Sequence, residues 1–390
     1  MILDRRELSR DFERMFGRQP RIYRAPGRVN LIGEHTDYND GFALPMALDR
    51  STWIAAAPRA DRKLVVHSRA YATTCTIDVA GEAPEPSPAT HSWIDYLHGV
   101  AAMLETGGAD MLIASDVPIG AGLSSSAALE IACGCALLDL ADRPVDPGAL
   151  ARAAQRAEHE FVGTRCGLMD QLAACFGRAD HALLVDTRSF EYRLVPIPSS
   201  IRVVVANTMV RHGHASGEYN ARRADCEIGV RSLVRRFPAI RALRDVSIAD
   251  LESARADLSD EVYRRCRHVV TENARTIDAV EALAAGNFES FGRLMGESHA
   301  SLAGDYSVSC EELDTMVALA ERLGGVYGAR MTGGGFGGSI VALVDATHAD
   351  RVREELGRHY ADATGLEPDV WICRAGDGVE AIHASHISPL

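Results

Sequence analysis

The chain has 390 residues, of which 47% are hydrophobic and 24% are charged, and this length and composition predict a globular protein with two domains of ordinary size. Acidic residues outnumber basic ones by 54 to 41, and the net charge of −13 argues against nucleic acid and against an anionic membrane as partners. The N-terminus has no apolar stretch typical of a signal peptide, and no ~18 uncharged apolar residues run together, so we expect a cytoplasmic protein.

Strands and helices alternate along the first half of the chain. Apolar and alternating runs predict strands at residues 22–25, 52–57, 64–67, 74–79, 111–114, 182–186 and 192–195. Helical spacing predicts helices at residues 3–16, 93–104, 127–141 and 147–161. The proline-rich stretch 81–90 is expected to form an exposed loop, and the glycine-containing stretch 162–171 to interrupt the helical pattern.

The stretch 196–200, PIPSS, is the predicted domain boundary, so that the domains span residues 1–198 and 199–390. Beyond it, strands are predicted at residues 201–206, 329–332, 340–344 and 369–373. Helices are predicted at residues 218–237, 260–285, 288–300, 311–323 and 349–360. Both halves therefore predict an α/β or α+β architecture. The nine cysteines are scattered without a C-x-x-C pair, so free thiols are expected.

The segment 116–132, DVPIGAGLSSSAALEIA, is typical of a phosphate-binding loop. It follows a predicted strand, and Gly120 and Gly122 allow backbone N–H groups to point into one concavity. Three serines then stand at the start of a predicted helix, where unpaired N–H groups and the positive end of the helix dipole favour an anion. A turn followed by a helix cap is the simpler alternative.

Lysine-based phosphate sites are excluded. Lys63 is the only lysine in the chain, and no G-x-x-x-x-G-K-[ST] segment occurs. Lys63 also lacks the glycine-rich, H-R-D and D-F-G segments that accompany a protein-kinase lysine. Backbone N–H groups, a helix terminus, a divalent metal and arginines must therefore bind any phosphoryl group.

A second polar constellation is RVNLIGEHTD, residues 28–37, which follows a predicted turn at Pro26 and Gly27. Glu34, His35 and Asp37 place hydrogen-bonding groups close together, as recognition of a polyol requires. A salt-bridged surface turn is the alternative.

A third constellation combines Glu158 with the segment VGTRCGLMDQ, residues 162–171. Gly163 and Gly167 break a helical pattern, so Asp170 could be presented to a cleft. An ionised aspartate can accept a hydroxyl proton within hydrogen-bonding reach. Helix capping by Asp170 is the alternative.

Two further segments follow in the C-terminal half. RMTGGGFGGS, residues 330–339, has five glycines in six positions around Phe336, which indicates backbone packed against another loop or a ligand. A flexible hairpin is the alternative. In the polar segment 207–223, Tyr219 opens a basic helix, and it could equally be a core residue with a satisfied hydroxyl.

Taken together, these motifs resemble those of the galactokinases of the GHMP family of small-molecule kinases, and the resemblance spans nearly the whole chain. GRVNLIGEHTDYNDG is similar to the galactokinase signature, PIGAGLSSSAALE to the family's phosphate loop, and MTGGGFGGS to its third glycine motif. The resemblance implies a two-domain GHMP kinase fold of mixed α/β and α+β type. Its N-terminal domain would be like ribosomal protein S5 domain 2 and its C-terminal domain ferredoxin-like, with the site between them.

The resemblance also implies roles for individual residues. Asp170 matches the catalytic aspartate, and Arg28 the arginine that neutralises charge beside it. Matches to galactose contacts are Glu34, His35, Thr36, Asp37, Gly167 and Tyr219. Matches to ATP contacts are Gly120, Ala121, Gly122, Leu123, Ser124, Ser125, Ser126 and Ser68. Ser126 and Glu158 match ligands of Mg²⁺.

The implied reaction is transfer of the γ-phosphoryl group of Mg-ATP to the anomeric hydroxyl of α-D-galactose by a monomer. Two departures from the family pattern are Ser339, where many relatives carry cysteine, and His214, where an apolar residue is common near the sugar. Three alternatives stay open: a sugar 1-kinase for arabinose, galacturonate or N-acetylgalactosamine, a non-catalytic sensor of galactose and ATP, and a binding module without a nucleotide.

Overall fold

The computed structural model describes residues 4–79, 92–211 and 215–382. Within them the strands are β1 (Arg21–Asn30), β2 (Phe42–Ala43), β3 (Pro45–Arg59), β4 (Lys63–Ser68), β5 (Thr73–Asp78), β6 (Gly108–Ser115), β7 (His181–Asp186), β8 (Tyr192–Pro196), β9 (Ile201–Arg211), β10 (Val326–Thr332), β11 (Gly337–Asp345), β12 (Asp369–Cys373) and β13 (Glu380–Ile382).

The α-helices of the same residues are α1 (Arg5–Phe16), α2 (Trp93–Leu104), α3 (Ser125–Leu140), α4 (Pro147–Ala157), α5 (Met169–Phe176), α6 (Ala215–Val234), α7 (Ile248–Ser253), α8 (Asp260–Ala284), α9 (Phe288–Ser301), α10 (Glu311–Glu321) and α11 (Ala349–Thr364). Short 3₁₀ turns are Asp37–Asn39, Leu243–Asp245 and Arg255–Asp257, and π-helical turns are Glu158–Val162 and Leu302–Tyr306. None of the helices described is long and apolar enough to cross a membrane.

Among the described residues, the N-terminal part has a three-stranded sheet, β2-β7-β8, and a larger sheet with helices on both faces. In the described residues the strand order of the larger sheet is β13-β1-β3-β6-β4-β5, and β4 and β6 are parallel. Alternate side chains of β3 point to opposite faces. Ile54 packs in the core that the sheet forms with α2 to α5, whereas Ala55 packs with Leu8 and Phe12 of α1. This layering leaves the loop between β6 and α3 at one end of the sheet.

The C-terminal part contains a sheet with the order β10-β11-β9-β12. Strand β9 also has two buried faces. Val204 lies in a core with Val269 of α8 and Leu356 of α11, whereas Val205 lies in a core with Leu123 of the phosphate loop. Because this second core contains residues of both halves, the C-terminal sheet packs against the phosphate loop.

The mixed α/β architecture is as predicted. The boundary between residues 198 and 199 stays a prediction: β9 begins just beyond it, while β13 returns to pair with β1 of the N-terminal sheet. All nine cysteines are free, as expected. The predicted proline-rich loop 81–90 lies outside the described residues.

Two predictions of local structure were wrong. Pro26 and Gly27 do not form a turn between elements; they lie inside β1, where the register with β3 shifts between Pro26 and Arg28. A Cβ on Gly27 would lie 2.7 Å from the carbonyl oxygen of Leu123, so the strand passes against the phosphate loop. The helix predicted over 147–161 ends at Ala157 and continues as the π-helical turn Glu158–Val162.

Candidate active site

A cavity of about 540 Å³ lies where the predicted motifs converge. The predicted site residues that line it are Arg28, Glu34, His35, Asp37, Ser68, Gly120, Gly122, Leu123, Ser124, Ser125, Ser126, Glu158, Asp170 and Tyr219. Thr36, Ala121 and Gly167, which are also within the described part of the chain, lie behind this lining. His214 lies outside the described residues.

Arg28 and Asp170 form the centre of the cavity. Asp170 is the second residue of α5, and Arg28 is a buried residue of β1. The Arg28 guanidinium donates to both carboxylate oxygens of Asp170, with 2.7 Å from Nε to Oδ1 and 2.8 Å from Nη2 to Oδ2. Its Nη1 donates to the carbonyl oxygen of Gly122 at 2.7 Å, and the Ser124 hydroxyl also donates to Asp170. This bidentate pair fixes the orientation of the carboxylate.

The phosphate loop has the backbone conformation that its glycines predict. Gly120 and Gly122 have positive φ angles of 70° and 76°. Ser124 follows at φ 54°, and α3 begins at Ser125, ahead of the predicted start at Ala127, so its N-terminal N–H groups lie at the cavity wall. That position favours a bound anion.

The third glycine motif packs on this loop. A Cβ on Gly333 would lie 2.9 Å from the carbonyl oxygen of Gly122, so only glycine allows this approach. The Ser339 hydroxyl donates to the carbonyl oxygen of Ala121 at 2.7 Å, and the N–H of Phe336 donates to the carbonyl oxygen of Val308 at 2.7 Å. The motif is therefore a packed support for the phosphate loop, and the flexible hairpin is excluded.

Acidic side chains cluster next to the phosphate loop. Glu158 is buried and accepts a hydrogen bond from Gln171 Nε2 at 3.2 Å, and Ser126 also hydrogen-bonds to it. Burial, followed by the charge of Asp170, raises the pKa of Glu158 to about 7. Burial, followed by the charge of Glu158, also raises the pKa of Glu130. A cation bound at this cluster would relieve the repulsion between these carboxylates.

Few protein ligands are available to such a cation. The described residues contain no group of three or more His, Cys, Asp or Glu side chains arranged to hold a metal. Ser126 and Glu158 offer oxygen atoms, which suit Mg²⁺, and this ion commonly takes one or two protein ligands with the remainder from phosphates and water. The residues present therefore fit Mg²⁺ held together with a nucleotide.

A polar group of side chains forms the other end of the cavity. His35 contacts Tyr38 through a 2.8 Å hydrogen bond at Nδ1, and its ring lies 5.4 Å from that of Tyr219. Burial lowers the pKa of His35 to about 3, so its imidazole is neutral. Burial, followed by the charge of Asp170, raises the pKa of Asp37 to about 7. These groups offer both donors and acceptors to a ligand with several hydroxyls.

Gly167 and Thr36 shape this end from behind. A Cβ on Gly167 would lie 1.9 Å from Oδ2 of Asp37, so the Asp37 carboxylate can lie where it does because residue 167 has no side chain. The Thr36 hydroxyl lies 2.9 Å from the carbonyl oxygen of Gly33 and 2.7 Å from that of Phe42, which holds the loop closed on itself.

Sequence reasoning missed two parts of the site. Tyr71 and Trp93 line the far end of the cavity with their rings stacked, 5.6 Å apart and 9° from parallel, and such a wall can stack on a planar base. Arg330, which is fully buried, donates to Glu34 Oε2 at 2.8 Å. Arg330 could have been included from the sequence, because it is the first residue of the third glycine motif. No local sequence pattern indicated that Tyr71 and Trp93 would pack together.

Comparisons with known proteins agree with this geometry. The galactokinase galactose-binding signature matches residues 10–58, the GHMP kinase N-terminal domain matches residues 95–178, and the GHMP kinase C-terminal domain matches residues 279–362. The galactokinase of Roseiflexus sp. (strain RS-1) is 48% identical over 384 residues, 97% of each chain. That of Chloroflexus aggregans is 50% identical over 380 residues, which cover 96% of this chain and 97% of the relative.

Solved structures give the same result. The Lactococcus lactis galactokinase complexed with galactose has a TM-score of 0.91 and 32% identity, covering 97% of this chain and 99% of that one. The mevalonate kinase of Methanococcus jannaschii, at 19% identity and a TM-score of 0.65 over 91% of this chain and 98% of that one, shares the fold. These matches confirm the predicted two-domain GHMP kinase fold. The chain belongs to the galactokinases of the GHMP kinase family.

Proposed function

We propose that this protein transfers the γ-phosphoryl group of ATP to the anomeric hydroxyl of α-D-galactose. The observation that carries the proposal is the Arg28–Asp170 pair, which lies in one cavity between a phosphate loop and a cluster of groups suited to a polyol. The family and the galactose-bound relative of Lactococcus lactis support galactose as the sugar.

In the proposed complex the sugar lies against Glu34, His35, Asp37 and Tyr219. Carboxylates accept hydrogen bonds from sugar hydroxyls, and a neutral imidazole can donate from one nitrogen while it accepts at the other. The triphosphate lies along the loop from Gly120 to Ser126, with its phosphates toward the N-terminus of α3. The base then lies at the end that Tyr71 and Trp93 form.

Asp170 is the group that acts on the reacting hydroxyl. We propose that it orients the anomeric hydroxyl and accepts its proton as the bond to phosphorus forms. In a loose transition state the proton moves late, so orientation is the larger part of this role. Arg28 and the loop N–H groups offset negative charge on the phosphoryl oxygens.

We propose Ser126 and Glu158 as the protein ligands of Mg²⁺. Their oxygen atoms are adjacent, and burial together with neighbouring carboxylates makes the cluster favourable for a divalent cation. When bound there, Mg²⁺ supplies positive charge that offsets the charge of the phosphoryl oxygens.

The charge of the pocket argues against a uronate, and the other two sugars are distinguished by the substrate comparison below. A uronate needs a cation facing C6, and the sugar end instead holds the carboxylates of Glu34 and Asp37. An N-acetyl group needs free space beside C2, while arabinose lacks the C6 hydroxymethyl group. A sensor that binds both substrates without turnover has no use for the oriented carboxylate of Asp170.

We further propose that the protein acts as a monomer in the cytoplasm. The described residues of a single chain build the cavity, and nine free thiols suit a reducing compartment. Gel filtration at the assay concentration tests the first point.

The deciding experiment measures ADP release from Mg-ATP with galactose, glucose, arabinose, galacturonate and N-acetylgalactosamine in parallel. We expect galactose-dependent turnover that D170A abolishes and that D362A, an exposed aspartate on α11, retains. Turnover with another sugar instead of galactose would identify that sugar as the substrate. Measurable binding of galactose and ATP without ADP release would favour the sensor.

A further inference from the structure

Three groups of Glu34, its N–H, its carbonyl oxygen and its carboxylate, are hydrogen-bonded to residues of the C-terminal part. Its N–H donates to Glu272 Oε1 of α8 at 3.3 Å, and its carbonyl oxygen accepts from His268 Nε2, also of α8, at 3.1 Å. Its carboxylate accepts from Arg330 Nη2 of β10 at 2.8 Å. The loop that carries the proposed sugar contacts therefore follows β1 of the N-terminal sheet in sequence but is hydrogen-bonded to α8 and β10 of the C-terminal part.

Glu272 makes the densest set of these contacts. It is fully buried, and its Oε1 accepts from the N–H of Gly33 at 3.0 Å and from the hydroxyl of Ser298 at 2.6 Å, besides the N–H of Glu34. Its Oε2 accepts from Arg275 Nε at 2.8 Å. Glu272 is not part of the lining of the described cavity, so it acts on the site only through the loop.

The loop is tightly confined at Gly33. This glycine has a φ of 90°, and a Cβ there would lie 2.5 Å from the carbonyl oxygen of Phe42 and 2.9 Å from the hydroxyl of Thr276. Buried N–H groups without acceptors are unfavourable. If the Glu272 carboxylate is lost, the N–H groups of Gly33 and Glu34 lose their acceptor, and the backbone there must move away from its present position to find another.

His268 supports the same loop from one helical turn away. A carbonyl oxygen only accepts, so Nε2 of His268 must carry the proton that it donates to Glu34. Its Nδ1 then accepts from Ser301, 2.9 Å away. Burial lowers the pKa of His268 to about 4, so this neutral tautomer is present near neutral pH.

We propose that Glu272 is a positioning residue for the sugar: through the N–H groups of Gly33 and Glu34 it sets the position of the loop that carries Glu34, His35 and Asp37. The inference rests on the proposed function, because it assigns the sugar to this loop. The contact of this loop with the phosphate loop is indirect: the N–H of Gly333, which packs on Gly122, donates to Glu34 Oε1 at 3.0 Å. Disturbing Glu272 should therefore weaken sugar binding far more than ATP binding.

The test replaces Glu272 by Met, which has a similar length and no carboxylate oxygen. The N–H groups of Gly33 and Glu34 then lose their acceptor in every rotamer of the new side chain. Losing a charge-assisted hydrogen bond corresponds to roughly a tenfold or larger change in affinity. We therefore expect E272M to raise the galactose KM about tenfold, with the ATP KM and kcat within about twofold of the parent, the pattern of lost uniform binding.

Galactose dissociation constants from calorimetry give a readout that does not depend on turnover, and two variants separate positioning from stability. E281M, at an exposed glutamate of the same helix, should match the parent. Leu356 is fully buried behind the C-terminal sheet, so L356A should lower the melting temperature without a selective change in galactose KM. If E272M does not fold, S298A, which removes only one hydrogen bond to Oε1, should still raise the galactose KM a few-fold.

The outcomes are distinct. A folded E272M with parental galactose affinity, or with equal rises in both KM values, overturns the inference, as does a parental galactose KM in S298A when E272M does not fold. A parent protein without galactose-dependent ADP release overturns the proposed function instead.

Discussion

Arg28 and Asp170 meet side on, with two nearly equal hydrogen bonds between the guanidinium and the two carboxylate oxygens, 2.7 Å from Nε to Oδ1 and 2.8 Å from Nη2 to Oδ2. The third guanidinium nitrogen, Nη1, donates to the carbonyl oxygen of Gly122. One arginine thus links the proposed catalytic carboxylate to the backbone of the phosphate loop, and its substitution should disturb both.

Replacing Arg28 by lysine should lower kcat about a hundredfold, because a point charge cannot make both parallel bonds and an oxyanion-stabilising contact contributes about 3 kcal/mol. The measurement is ADP release at saturating galactose and ATP. Arg24 lies on the same strand and pairs with Glu380 at 3.1 Å near the surface, so R24K is the matched control and should retain parental turnover. A kcat of R28K within a few-fold of the parent would contradict this role.

Replacing Gly167 by alanine should raise the galactose KM. The new Cβ would lie 1.9 Å from Oδ2 of Asp37, so the carboxylate has to leave its position. A displacement of about 1 Å in such a group can change rates and affinities on the order of a hundredfold, and we expect at least about tenfold here. Among the described residues, no atom lies within 4 Å of the position that a Cβ on Gly107 would take, so G107A should behave as the parent. Equal KM values for G167A and the parent would contradict the expectation.

Sequence reasoning located the groups of the site but not their contacts. The phosphate loop was predictable because its glycines, serines and helix start are neighbours in the chain. The pairing of Arg28 with Asp170 joins a strand to a distant helix, and only the family resemblance suggested it. Glu272 had no local signal at all, because a buried glutamate in a long helix resembles an exposed one until the loop against it is known.

Local turn chemistry also gave one wrong answer. Pro-Gly usually marks a turn, yet Pro26 and Gly27 lie inside β1. The strand pairs with β3 both before them, from Arg21 to Pro26, and after them, from Arg28 to Asn30, and the glycine lets the phosphate loop approach. Long-range packing therefore outweighed the local preference at the one point where the strand passes the site.

The stability of the ligand-free protein should fall as the pH rises from the pKa of Asp37 in the unfolded chain to its higher pKa in the folded state. Burial, and then the charges of Asp170 and Glu34, raise the pKa of Asp37 from 3.8 to about 7. Between these values the folded state keeps a proton that the unfolded chain has released, so the free energy of unfolding decreases with increasing pH. From about pH 4 to about pH 7 the decrease is about 3 kcal/mol.

Denaturant unfolding of the parent and of D37N across this range measures the effect. Asparagine does not titrate, so the free energy of unfolding of D37N should decline less than that of the parent, by about 3 kcal/mol over the range. D369N, at an exposed position of β12, is the control and should keep the parental slope. Parallel curves for the parent and D37N would show that Asp37 is ionised in both states.

Removing Arg330 should destabilise the protein strongly. Its side chain is fully buried, with Nη2 donating to Glu34 Oε2 at 2.8 Å and Nη1 to the carbonyl oxygen of Asn30 at 2.9 Å. Burial, opposed by Arg330, already raises the pKa of Glu34. R330M leaves that carboxyl group buried without its charged partner, although Asn30 Nδ2 and the N–H of Gly333 still donate to it. We expect a loss of about 3–5 kcal/mol in the free energy of unfolding.

A double variant separates the charge from the packing. In E34Q/R330M no uncompensated charge remains, so its loss of stability should be smaller than the sum of the two single losses by at least about 1 kcal/mol. R293M removes an exposed arginine that faces Glu297 at 3.8 Å on α9, and it should change stability by less than about 1 kcal/mol. Additive losses in the double variant would mean that Arg330 stabilises the protein through its bond to the carbonyl oxygen of Asn30 and its packing, and that the charge of Glu34 does not contribute.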